Sequence, residues 1–172
     1  RADPYAMNSI RTRLETVRER IQQAERKYHR EPGAVQLLAV SKTRPASDLM
    51  QAIEAGQRLF GESYLQEALE KMRELEHLQA EWHFIGRIQS NKTRSIAENF
   101  DWVHSVDKPN LARRLNDQRP AHLRPLNVCL QVKLDQEDSK AGLSPEQAAE
   151  LATQCHELPR LRVRGLMTTH GV

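Results

Sequence analysis

Six short apolar runs alternate with five segments of helical spacing along this chain of 172 residues, and this alternation restricts the fold more than any other feature. The runs at 35–42, 59–63, 82–86, 102–106, 126–134 and 161–169 have the length and composition of strands. Between them, 48–55, 64–77, 91–99, 108–119 and 144–157 read as helices with one apolar face. Gly56 is placed as a C-terminal stop for the first of these. Ser144-Pro145-Glu146-Gln147 opens the last with a serine cap, a proline in the first turn and a glutamine three residues after the cap. A further helix over 7–27, with Ile10, Leu14, Val17, Ile21 and Ala24 on one stripe, precedes the first strand and is expected to pack as an accessory.

Strand–helix units in series predict a parallel sheet with helices outside it, because the strands are too apolar to leave one face in water. A doubly wound open sheet usually announces itself by a glycine-rich first turn such as GxGxxG, and the turn here is Ser41-Lys42-Thr43-Arg44-Pro45. A (β/α) barrel carries its chemistry at the C-terminal strand ends, where Lys42, Glu62, His83, Ser105, Lys133 and Met167 fall. The reading is therefore an α/β fold of the TIM-type barrel kind. In the fifth run Leu126, Val128, Leu130, Val132 and Leu134 share the face toward the helices, leaving Asn127, Cys129, Gln131 and Lys133 on the inner one.

Lys42 has nowhere ordinary to go. Alternation puts Leu38, Val40 and Lys42 on one face and Leu37, Ala39 and Ser41 on the other. An amine at the rim of an apolar interior loses hydration, which favours its neutral form, and a neutral amine attacks a carbonyl to give a Schiff base. From this stretch alone the other reading stays open: a lysine that snorkels from a strand end into water.

The formal charge of +3 comes from basic residues interspersed with acidic ones, so a nucleic-acid footprint is only weakly signalled. No apolar run approaches the roughly 18 residues of a membrane span. Cys129 and Cys155 are far apart and belong to no CxxC pair, which suits reduced thiols and a cytoplasmic location better than a disulfide framework or a zinc site. Residues 1–6, ahead of Met7, read as a remnant of expression-vector sequence, leaving 7–172 as one domain.

Five motifs carry a family likeness. They are Leu38-Ala39-Val40-Ser41-Lys42-Thr43, Phe60-Gly61-Glu62-Ser63-Tyr64-Leu65-Gln66-Glu67, Trp82-His83-Phe84-Ile85-Gly86-Arg87-Ile88-Gln89-Ser90-Asn91-Lys92, Asp138-Ser139-Lys140-Ala141-Gly142 and Arg164-Gly165-Leu166-Met167. Together, and in this order, they resemble the YggS/PROSC family of pyridoxal 5'-phosphate (PLP) homeostasis proteins, similar in fold to the N-terminal barrel of alanine racemase, a fold type III PLP enzyme. The resemblance implies a (β/α)8 barrel, here apparently truncated after the sixth strand, with PLP held as a Schiff base on Lys42. It also implies a carrier that buffers or delivers PLP to PLP-dependent apoenzymes and regulates vitamin B6 and amino-acid balance without robust turnover. A monomer with no membrane or nucleic-acid partner is expected. The enzymatic alternative, a fold type III amino-acid racemase, needs a second base on the opposite ring face.

Ser63, His83 and Met167 are the further candidates for cofactor contact. His83 fits a ring-side contact and a core histidine equally, and Met167 fits a ring contact or core filling. Tyr64 is a lid or a helix-start aromatic, and Lys92 and Lys140 are phosphate attractors or solvated loop lysines. Two positions depart from the family pattern. Ser63 stands where relatives commonly have asparagine, so a hydrogen bond to the cofactor lengthens or passes through water. Lys133 also stands where asparagine is usual and is expected to bring a second amine near Lys42. The segments that normally cradle the phosphate, and the arginine facing the pyridine nitrogen, fall beyond Val172; if the barrel ends there, weak PLP binding is expected.

Overall fold

The computed structural model describes residues 9–134 and 141–169. Residues 1–6, Met7 and the Asp138-Ser139-Lys140 part of the fourth motif, including the candidate Lys140, lie outside those limits. The strands are β1 (Ala39–Val40), β2 (Leu59–Glu62), β3 (Glu81–Phe84), β4 (Trp102–Val106), β5 (Leu126–Gln131) and β6 (Leu161–Met167). The helices are α1 (Ile10–Lys27), α2 (Ala46–Glu54), α3 (Leu65–Glu74), α4 (Thr93–Asn99), α5 (Pro109–Gln118) and α6 (Pro145–Cys155).

All strands pair in parallel, in the order β1-β2-β3-β4-β5-β6. A doubly wound sheet reverses its order at a switch point, whereas sequential addition on one side is the winding of a barrel. The helices accordingly cover one face. Beneath them a register line of Phe84, Val103, Val128 and Val163 crosses β3 to β6, and Phe60, Val106, Leu126 and Leu130 join it in a core where Val103, Val106, Leu126, Val128 and Leu130 are fully buried. From α4 and α5, Ile96, Ala97, Ala112 and Leu115 reach the same core.

Local chemistry sets several element ends. Ser144 and Gln147 form the complete capping box of α6, each side chain accepting from the other residue's backbone N–H. β1 is shorter than the apolar run that contains it, because Gln57 Nε2 donates to Leu37 O at 2.7 Å and to Leu59 O at 2.9 Å, replacing the ladder bond that would extend the pairing. β5 ends at Gln131, so Lys133 lies outside the strand and Leu134, expected on the helix side, is 71% exposed.

The accessory helix docks through most of its apolar stripe, Ile10, Leu14 and Ile21, rotated so that Arg18 and Glu25 join the buried side in place of Val17 and Ala24. Val17 and Ala24 are exposed, while Leu14, Arg18, Ile21 and Glu25 turn inward at helical spacing. Arg11 donates to Glu54 O and Arg18 to Ala55 O, at the C-terminal end of α2 where carbonyls lack helical partners. Buried Glu25 accepts from Val35 N–H at 3.0 Å.

Candidate functional site

Lys42 follows β1 directly and occupies the second position of a turn in which Arg44 N–H donates to Ser41 O at 3.1 Å. The third position, Thr43, has φ +66°. A turn with a left-handed third residue usually places glycine or asparagine there. The Lys42 side chain is exposed, and its Nζ has no hydrogen-bond or ion-pair partner among the described residues. This departs from the expectation of a dehydrated amine at the edge of a core. The cause is the position of β1 at the edge of the sheet, where Val40 on the same face is 55% exposed.

A second lysine at this end has the opposite character. Lys71 of α3 is buried, and its ammonium has three acceptors for three protons: Ser41 O at 2.7 Å, Glu62 Oε1 at 2.5 Å and Glu67 Oε1 at 2.8 Å. Burial raises the pKa of the Glu62 carboxyl, against the pull of Lys71, and its Oε2 has no hydrogen-bond partner among the described residues. Glu67, nearer water, is held below the ordinary carboxylate range by Lys71 and then by the Thr43 N–H, which donates to Glu67 Oε1 at 2.6 Å. Glu62 therefore points toward α3, as a structural counter-ion, and not into the mouth of the sheet.

The face turned away from the helices is polar and aromatic. One register line crosses all six strands as Val40, Gly61, His83, Trp102, Asn127 and Arg162. His83 is 5% exposed and stacks on Trp102 with ring centroids 5.2 Å apart. Its Nδ1 lies 2.8 Å from His104 Nε2, while its Nε2 has no hydrogen-bond partner among the described residues, with a Glu81 carboxylate oxygen 3.4 Å away. Burial, then the neighbouring His104, lowers the His83 pKa to about 3. The Arg164 guanidinium sits over the Trp102 ring at 4.8 Å and donates to Asn127 Oδ1 at 3.2 Å. Little space is left beside Gly61, where a Cβ would stand 3.0 Å from Ile85 Cδ1.

At the C-terminal ends of β3 to β6 opens a cleft of about 630 Å³, whose walls include Gly86, Ser105, Lys108, Gln131 and half-buried Met167. Ser105 Oγ donates to Gly86 O at 2.5 Å and ties two of these ends together. Ser63 stands against the rim, since a Cβ on Gly86 would lie 2.5 Å from Ser63 O. It is joined to the Lys42 turn through β2, where Gly61 O accepts from Ser41 N–H and from Ser41 Oγ. Met167 thus lines the cleft and Ser63 abuts it. Lys42, His83 and Lys133 are not among its lining residues. Lys133 is half-buried, with its N–H donating to Leu143 O. Tyr64 and Lys92 are exposed.

The sequence reading missed Lys71 and Glu67 as companions of Lys42. Their spacing of four on a helix was the available signal, but such a pair is ordinarily a surface feature.

The sequence profile of the family "Alanine racemase, N-terminal domain" matches residues 12–172. The chain is 52% identical over 164 residues to the pyridoxal phosphate homeostasis protein of Escherichia coli (strain K12), covering 94% of this chain and 70% of that one. It is 55% identical over 161 residues to the protein of the same description from Pseudomonas aeruginosa, with the same coverage. Among solved structures, PipY of Synechococcus elongatus PCC7942 with PLP bound superposes with a TM-score of 0.81 at 39% identity, over 95% of this chain and 72% of that one.

Proposed function

Because the chain belongs to the pyridoxal phosphate homeostasis family, built on the alanine racemase N-terminal domain, we propose that it binds PLP through Lys42 as a Schiff base and serves as a carrier that buffers and delivers the cofactor. The residues present fit such a group. PLP supplies an aldehyde that condenses with a primary amine, releasing one water. Lys42 offers an exposed amine with no hydrogen-bond or ion-pair partner among the described residues, and this is the observation that carries the proposal. Lys71, the nearby alternative, has every proton engaged.

The remaining candidates take supporting roles in this reading. Ser63 supplies a short hydroxyl beside the Lys42 turn, Met167 presents a soft apolar surface at the end of β6, and His83 holds Trp102 in place on the face below. Burial keeps His83 neutral at physiological pH, so it holds the ring cluster together without adding charge. The proposal places the protein in the cytoplasm as a monomer that hands PLP to apoenzymes. Its test is the visible absorbance that develops when PLP is added to the protein and to its Lys42→Ala variant. Loss of the lysine-bound band in the variant is expected. An unchanged band, or borohydride trapping of PLP on Lys133, would overturn the assignment.

A further inference from the structure

The second motif of the sequence contains Glu67, for which binding alone gives no reason. Glu67 and Lys71 bond to the two residues that flank Lys42, and neither lines the cleft. Lys71 Nζ donates to Ser41 O at 2.7 Å, and Glu67 Oε1 accepts from Thr43 N–H at 2.6 Å. The two side chains are themselves joined at 2.8 Å, so the backbone on both sides of Lys42 is gripped by one ion pair anchored on α3. Within the turn, Thr43 Oγ1 donates to Lys42 O at 2.6 Å.

From this geometry we propose that Glu67 and Lys71 are positioning residues. They hold the Ser41–Arg44 turn in the conformation that aims the Lys42 side chain, and Glu67 in particular keeps Thr43 left-handed. The inference rests on Lys42 being the lysine that takes PLP.

A β-branched residue at φ +66° is strained, and such a conformation persists only where the surroundings enforce it. The Thr43 N–H points at a carboxylate whose place is fixed by a buried ammonium, which is an enforcement of that kind. Relaxation of Thr43 to negative φ would withdraw its N–H from Glu67 and re-aim the residue before it. The Ser41 end cannot follow, since Lys71 and the bonds to Gly61 O hold it. The turn therefore has one loose point, and Glu67 closes it.

The test compares the rate at which added PLP develops lysine-bound absorbance in the wild-type protein, Glu67→Ala, Glu67→Gln, Thr43→Gly, the Glu67→Ala/Thr43→Gly double variant and Lys42→Ala, with thermal unfolding run beside each. Glu67→Ala should slow uptake roughly tenfold or more, because displacement of a reacting group costs rate steeply. Thr43→Gly, which adopts positive φ without strain, should restore most of that rate in the double variant. A staple that merely stabilised α3 would give no such rescue. Wild-type uptake by Glu67→Ala, or no recovery in the double variant, would overturn the proposal. If Glu67→Ala fails to fold, Glu67→Gln decides: it keeps the acceptor for Thr43, so uptake within roughly threefold of wild type supports positioning, and a larger loss refutes it. Lys42→Ala separates the two readings. If it retains the absorbance, the assignment of PLP to Lys42 fails; if it loses the absorbance while Glu67→Ala matches wild type, only the positioning role fails.

Discussion

His83 and His104 share one hydrogen bond, Nδ1 to Nε2 at 2.8 Å, across neighbouring strands on the face opposite the helices. One ring must donate and the other accept, so the pair tolerates at most one added proton before its bond is lost. Burial lowers the pKa of both imidazoles, in the case of His83 to about 3.

The consequence is acid sensitivity of a defined sign. In the unfolded chain His83 protonates near 6.5, while in the folded protein it resists protonation until about pH 3. Between those values the unfolded state binds more protons, so stability falls as the pH drops from about 6.5 toward 3, by up to about 1.4 kcal/mol per pH unit for this one group. His104, shifted in the same direction, adds to the slope. Urea unfolding of wild type and His83→Gln from pH 7 to pH 4 should show the two curves converging as the pH falls. Parallel curves would contradict the shift.

The ion pair behind Lys42 should be costly to halve and cheap to remove whole. Lys71→Met leaves Glu62, 1% exposed, with an uncompensated carboxylate, and is expected to cost about 3–5 kcal/mol at neutral pH. Glu62 then takes up a proton more readily, so the deficit should shrink on acidification. Replacing both as Glu62→Leu/Lys71→Met should recover most of the loss, a coupling that a double-mutant cycle in urea measures directly. Additive single effects would show the pair to be incidental.

The seam between the ends of β2 and β3 has no room for a methyl group. A Cβ at position 86 would lie 2.5 Å from Ser63 O and 2.8 Å from Ser63 Cα, and both are backbone atoms that cannot swing aside. Gly86→Ala should therefore cost about 1–3 kcal/mol by forcing the strand ends apart. PLP uptake should fall with it, because Ser63 is moved. A variant as stable as wild type by chemical unfolding would show that the seam yields.

Much of the scaffold was legible because local signals agreed with the tertiary outcome. The strand over 102–106 and the capping box at Ser144 and Gln147 read directly, since alternation, a helix-starting proline and a reciprocal cap need no long-range partner. The absence of a glycine-rich first turn pointed to barrel winding, and the sequential strand order agrees. The first strand read too long, because Gln57, twenty residues away, takes the Leu37 carbonyl. The stripe on α1 read correctly at Ile10, Leu14 and Ile21 but not at Val17 and Ala24, because Arg18 and the buried Glu25 also turn to the docking side. The surroundings of Lys42 were the least legible part. Glu62 looked like a residue of the mouth, and only the packing of α3 on β2 shows that it faces Lys71.

The strand that leads into Lys42 has a single ladder neighbour, and the cover on its other flank comes from α1, a helix outside the repeating unit and fastened at Arg11 and Arg18. The end of the sheet that carries Lys42 is thus moored to a helix held by side-chain bonds and packing and by no strand pairing. Departure of that one helix would unclothe the half-buried Leu38 and Ala39 while β2 to β5 stayed paired, so the lysine's mobility is governed from α1.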